Sequence, residues 1–413
     1  MQKFLRLGES FFIVSCITFF CLIVYLYGIN DVEDYELGFF SAKLLTNNIF
    51  DFFYDFYGPG TKIPLGTGPF LHPANFLIFN TKQFYFLYIF FNLSIQIIFI
   101  KKIFKILKIK YIKYLIPFLI IFAVPNLNYT LSDDWLSAFH GYCVMPLVFY
   151  YFLKIIHKED KLNLFKFSLS FCFWLINGHI GLISVYLIFF ILYFILSINN
   201  FEFKKKIFNI SFIVCLTLVA LFLLDNLYFM LSEMSEGDGI RYIKAPYSKR
   251  PYVEIFYPFD QFLTWTKLNR LPGNPILIYF CLIVSCFNIF THSKKIIKNI
   301  RFGTLKKKFK NYFISIDNVP LYSFVYLFFF ISSITKLLEI TYVISAHWIS
   351  RDVILFCGLF IYASKYKNLR FNIKIILNFF LIFYTILFLF FNLYAIIKSN
   401  QNNFINTTKE NSQ

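Results

Sequence analysis

The chain has 413 residues, of which 58% are hydrophobic and only 15% charged. That balance lies outside the soluble globular range. Its 61 Phe and 29 Tyr sit in long runs, not at the alternating positions of barrel strands. The formal net charge of +18 falls in short segments between the apolar runs, with no stacking-and-basic module, so nucleic acid is excluded as a partner.

A membrane helix needs about 20 apolar residues. Runs near 10–28, 83–100, 112–126, 139–156, 165–177, 180–198, 208–229, 274–291, 319–337, 350–364 and 374–397 approach that length. The predicted fold class is all-α, a polytopic transmembrane helical bundle of about eleven spans. A single transmembrane domain covers 1–397, and the polar stretch 398–413 is expected to be disordered. The first run follows Lys3 and Arg6 like a signal peptide. Bulky Tyr25, Leu26 and Tyr27 stand where a small-residue cleavage site would be, so it is read as a retained helix. The stretch 165–198 is long for one span and short for two, and Asn177-Gly178-His179 divides it. The eight Cys lie within or beside the runs without a CxxC pair, which offers neither a disulfide framework nor a thiolate metal site.

Lys-rich segments at 101–113, 157–166, 203–206, 291–310 and 365–374 alternate onto one side with the N-terminus. The positive-inside pattern makes that side cytoplasmic. The expected location is the inner (plasma) membrane, with segments 29–82 and 230–273 as long periplasmic or extracellular loops. Both are rich in aromatic and branched residues, and structured loops of such length are usually functional. In the first, Leu37, Phe40, Leu44 and Leu45 recur at helical spacing, as in an interfacial helix.

Three groups of residues can carry chemistry. Asp31, Glu33, Asp34 and Glu36 crowd next to the first helix, where mutual repulsion and nearby lipid favour a general base; a solvated acidic loop is the plain alternative. Arg241, Lys244, Lys249 and Arg250 break the positive-inside pattern and suit a phosphate group, or else anionic lipid headgroups. Lys336, Glu339, His347, Arg351 and Asp352 lie at or inside spans, where ionisable groups are costly and mark functional or paired positions. Arg351 is the best single phosphate-binding candidate of this group, against a structural ion pair with Asp352 or Glu339. His72, His140, His179 and His347 fall near the outer face, but none has a partner at metal-ligand spacing.

The layout resembles the GT-C superfamily of polytopic membrane glycosyltransferases, especially the YfhO-like membrane proteins. The first helix runs into an outer loop opening with Asp31, Glu33 and Asp34, followed by Tyr35. A Gly/Pro-rich stretch from Gly58-Pro59-Gly60 to Gly68-Pro69 and then His72-Pro73-Ala74-Asn75 close that loop, and Gly178-His179 heads a later aromatic span. The resemblance implies a polyprenyl-phosphate sugar donor, a glycan or lipid acceptor and a first-loop carboxylate as base, here Asp34 or Asp31. It places His72, His179, His347 and Tyr35 around the substrate cavity. The acidic motif reads DxED, which leaves the choice of base open; a divalent metal requirement is open as well, and no other cofactor is expected. The competing expectations are a transporter or flippase of a lipid-linked or anionic solute, and a non-catalytic subunit of an envelope-assembly complex.

Overall fold

A computed structural model describes residues 2–27, 53–54, 61–62, 73, 81–127, 129–130, 136–157, 161–178, 180–197, 275–301, 319–334, 346–366 and 368–410, some of them, including His347 and Arg351, by backbone alone. These residues are overwhelmingly helical. The helices are α1 (Gln2–Tyr27), α2 (Thr81–Ile106), α3 (Leu115–Ile121), α4 (Val124–Leu127), α5 (Leu136–His157) and α6 (Lys161–Asn177). They continue as α7 (Ile180–Ser197), α8 (Pro275–Arg301), α9 (Val319–Ile334), α10 (Ala346–Tyr366) and α11 (Phe371–Glu410). One minimal antiparallel ladder pairs β1 (Phe53–Tyr54) with β2 (Thr61–Lys62).

Helix is the form in which an apolar segment satisfies its own backbone in lipid. Among the described residues, four stretches are long and apolar enough to cross a membrane: Leu7–Leu26, Gln83–Ile106, Leu136–Ile155 and Phe371–Phe390. Helix α5 keeps Pro146 in its interior, as packed membrane helices can. The expected span at 112–126 is broken into α3 and α4, and Pro125 occupies the first turn of α4, where its missing N–H costs nothing. The stretch 165–198 forms two helices, α6 and α7, parted at Gly178. Helix α11 runs past its apolar part to Glu410, through the polar stretch expected to be irregular.

Side-chain contacts give the helix directions. The start of α1 meets the end of α2 through the Glu9–Lys101 ion pair. Early in α2, the Tyr88 hydroxyl donates to the Leu136 carbonyl at the start of α5 (3.0 Å). Trp174 near the end of α6 donates to the Gly141 carbonyl near the start of α5 (2.7 Å). Tyr193 late in α7 meets Tyr322 early in α9, which stacks on Phe360 late in α10. Helix α1 therefore runs opposite to α2, α6 opposite to α5, and α9 opposite to α7 and α10, whereas α2 and α5 run parallel. One end of the bundle carries the start of α2, α5, α7 and α10; the other carries Lys101, Lys102, Lys154 and Lys374.

Aromatic rings fill the centre. Phe149 of α5 contacts Phe189 and Phe190 of α7 and Phe356 of α10, with centroids 5.0–5.7 Å apart. Offset and edge-on pairs of this kind add to simple burial. At the lysine end α2 closes at Lys108 with φ 55°, where Ile109 N–H bonds the Phe104 carbonyl (3.0 Å) and Lys108 N–H that of Lys105 (3.3 Å). This is the Schellman closure, with lysine at the left-handed position that glycine usually takes.

Candidate functional site, a buried carboxylate among phenols

Asp352 stands in the second turn of α10 and is 2% exposed. One of its oxygens, Oδ2, accepts hydrogen bonds from the Tyr186 hydroxyl (2.6 Å) and the Tyr129 hydroxyl (2.9 Å). Tyr186 is in the second turn of α7, and Tyr129 lies just before α5. The six residues from Ala346 to Asp352 correspond to a depth of about 9 Å along the helix. The group therefore sits about two helical turns in from the start of α10, among buried side chains.

A second set of polar groups adjoins it. Tyr142 and Cys143, in the second turn of α5, interact electrostatically with Asp352. A side-chain hydrogen bond joins Tyr142 to Gln96 of α2. Asn126 of α4 donates to Gln96 Oε1 (3.3 Å) and to the Ile120 carbonyl (2.7 Å). Its Oδ1 faces the Cys143 thiol (3.5 Å), and its carbonyl accepts from the Thr130 hydroxyl (2.6 Å). All these side chains are buried. Each polar group placed in apolar surroundings needs such a partner, and a satisfied network specifies one packing of the helices that share it.

Local structure positions the phenols. Between α6 and α7 the chain turns at Gly178, where a Cβ would come within 2.6 Å of the Trp174 carbonyl oxygen and 2.8 Å of Ile183 Cδ1. Only glycine fits there without displacement, and the turn sets the phase at which Tyr186 reaches Asp352. Trp174, fully buried, ties α6 to Gly141 of α5 and packs against Tyr186 with centroids 5.8 Å apart.

The sequence-predicted sites divide between described and undescribed residues. Asp31, Glu33, Asp34, Tyr35, His72, His179, Arg241, Lys244, Arg250, Lys336 and Glu339 lie outside the described residues. Arg351 and His347 are placed on α10 by their backbone. The described partners of Asp352 are phenols; Arg351, which the sequence offers as a phosphate ligand or as an ion-pair partner of Asp352 or Glu339, is described by its backbone alone. His140 is buried between the rings of Phe173 (4.9 Å) and Tyr88 (6.2 Å). Among the described residues no group of His, Cys, Asp and Glu is arranged to hold a metal ion.

Tyr129, Tyr142, Tyr186, Gln96 and Asn126 escaped the reading of the sequence. Tyrosine is too common in this chain to stand out. Gln96 and Asn126 were the available signal, being amides inside otherwise apolar runs. Comparison with family models, curated proteins and solved structures finds no match.

Proposed function

We propose that the chain is a polytopic membrane glycosyltransferase of the GT-C kind, moving a sugar from a polyprenyl-phosphate donor to an envelope glycan or lipid acceptor at the outer face. The observation that supports this reading is the gathering of polar groups at one end of the bundle. Asp352 and its phenols lie at the end opposite the lysine-bearing helix ends. Helix α1 finishes at Tyr27 on that same end, four residues before Asp31, and α10 begins there with His347 and Arg351. The end of α1 that leads toward Asp31 and the start of α10 that carries Arg351 thus share one end of the bundle. In this mechanism Asp34 or Asp31 takes the proton of the acceptor hydroxyl, the hydroxyl oxygen attacks the anomeric carbon, and basic groups such as Arg351 stabilise the departing phosphate.

The test is sugar transfer from a polyprenyl-phosphate donor by the full chain in nanodiscs. Asp31→Asn and Asp34→Asn, singly and together, are expected to include a loss of about a hundredfold or more. Undiminished transfer by the double variant would overturn the assignment.

A second reading has one observation in its favour. A carboxylate buried inside the bundle and held by neutral donors is the type of group transporters use for coupling. Uptake of an anionic or lipid-linked solute by proteoliposomes, lost in Asp352→Asn and retained in Asp34→Asn, would select a transporter.

A further inference from the structure

We infer that Asp352 is a proton-binding site, a carboxyl that takes up and releases a proton at the end of the bundle where α7 and α10 begin. The inference goes beyond the transferase reading and does not depend on it. It rests on the geometry of one oxygen receiving two phenol hydrogens at 2.6 and 2.9 Å in a side chain 2% exposed.

Among the described residues, two opposed interactions act on this carboxyl. Its surroundings are apolar, which disfavours charge, while two O–H donors directed at Oδ2 favour it. An intramembrane carboxyl set between such influences is the usual form of a proton-relay group. The reaction is an addition without other chemistry: a proton from water joins the carboxylate to give the neutral acid and returns to water on release. The phenols keep their own protons throughout. Tyr129, 7% exposed, has the largest exposure among the cluster's phenols.

Among the described residues, the titratable groups that face Asp352 include Tyr129 from the segment before α5, Tyr142 and Cys143 from α5, and Tyr186 from α7. Arg351 is its neighbour in sequence on α10 itself. From the other helices packed on α10, the Tyr326 hydroxyl of α9 donates to the Ile278 carbonyl (2.7 Å), and the Cys281 thiol of α8 to that of Gly358 (3.2 Å). Both are occupied further along α10. The buried carboxyl at the far end of the molecule, Glu9, is paired with Lys101 and supplies an internal contrast.

The experiment is infrared difference spectroscopy of the purified full chain in nanodiscs, following the carboxylic-acid carbonyl stretch during pH titration. Wild-type protein and the Asp31→Asn/Asp34→Asn double variant should share a band that appears and disappears reversibly with pH. Asp352→Asn should lack it, and Glu9→Gln should retain it. Survival of the band in Asp352→Asn, or no pH-dependent band in the wild type, would overturn the inference. Should Asp352→Asn fail to fold, Tyr129→Phe and Tyr186→Phe keep the carboxyl and remove its donors. Each should then move the transition by about one pH unit, since a hydrogen bond to the charged form is lost; an unmoved transition would assign the band to another group. Because the transferase test relies on Asp31 and Asp34, failure of either idea leaves the other standing.

Discussion

At the lysine end of the bundle, Glu9 meets Lys101, whose side chain is half exposed and also lies over the Tyr111 ring at 5.5 Å. At the opposite end, Asp352 meets two phenols and no part of the arrangement touches solvent appreciably. The first carboxylate is offset by a mobile cation that reaches toward water along an aromatic surface, as long basic side chains do near lipid headgroups. Lys102 over Phe99 (4.2 Å) and Lys374 over Tyr366 (5.3 Å) repeat that pattern. The second carboxyl accepts hydrogen bonds from two phenols, one on α7 and one in the segment between α4 and α5. Charge near the surface tolerates substitution, whereas charge satisfied inside the bundle constrains every helix that contributes to it.

The contrast is most directly broken at Asp352. Asp352→Leu leaves two buried phenols without their acceptor, and the expected loss is about 2–4 kcal/mol of stability. Thermal unfolding in detergent measures it, and a loss under about half a kcal/mol would show that the phenols find other partners. Asp352→Asn keeps an acceptor and should fall between that variant and wild type.

Gly178→Ala probes the turn that delivers Tyr186. Its Cβ would meet the Trp174 backbone oxygen, so the two helix ends must part, at a cost of about 2 kcal/mol. Restored stability in Gly178→Ala combined with Ile183→Ala would show that the Ile183 contact, and not the backbone one, is responsible.

At the lysine end the effects should be smaller and unequal. Lys101→Met strands the buried Glu9 and is expected to cost about 1 kcal/mol, more than Glu9→Gln, because Lys101 alone can turn to water. Equal losses in the two variants would remove this asymmetry.

The smallest effect is expected at Tyr111, in the connection between α2 and α3. Its buried hydroxyl has no hydrogen-bond partner among the described residues. Burial first, and the Glu9 carboxylate second, hold this phenol above its ordinary value near 10. An unfolded chain ionises there before the folded one does, so the stability present below about pH 10 is lost as pH rises through the folded value. Tyr111→Phe should change neutral-pH stability by a few tenths of a kcal/mol at most and flatten the alkaline decline. An unchanged alkaline limb would assign that decline to other groups.

Much of the helical framework was legible in the residues. The run lengths predicted α1, α2, α5 and α11, since about 20 apolar residues admit few other structures. The Asn177-Gly178-His179 break correctly divided α6 from α7. Of the Lys-rich segments, 101–113 and 365–374 lie at one end of the bundle, although the side of the membrane they face is a matter of the positive-inside pattern alone. Less legible was the span near 112–126, where hydropathy does not register that Pro125 starts a new turn. Asp352 was singled out as an intramembrane charge, but its partners were not. Hydropathy counts Tyr129 and Tyr186 among the aromatic residues and is silent about where a hydroxyl points.

The chain's composition and run lengths by themselves determined that it forms apolar helices, that several can cross a membrane, and where many of them begin and end. Those properties are local, because each helix satisfies its own backbone. The tertiary structure alone decided which helices lie on the inside. Of the α5 span 78% is buried, against 17% of the α11 span, though both are predominantly apolar and the α11 span is the more hydropathic. It also decided that residues 129, 186 and 352 meet at one oxygen. Such a meeting depends at once on the phase and direction of α7 and α10, on the segment between α4 and α5, and on the glycine turn that leads into α7, which no single segment encodes.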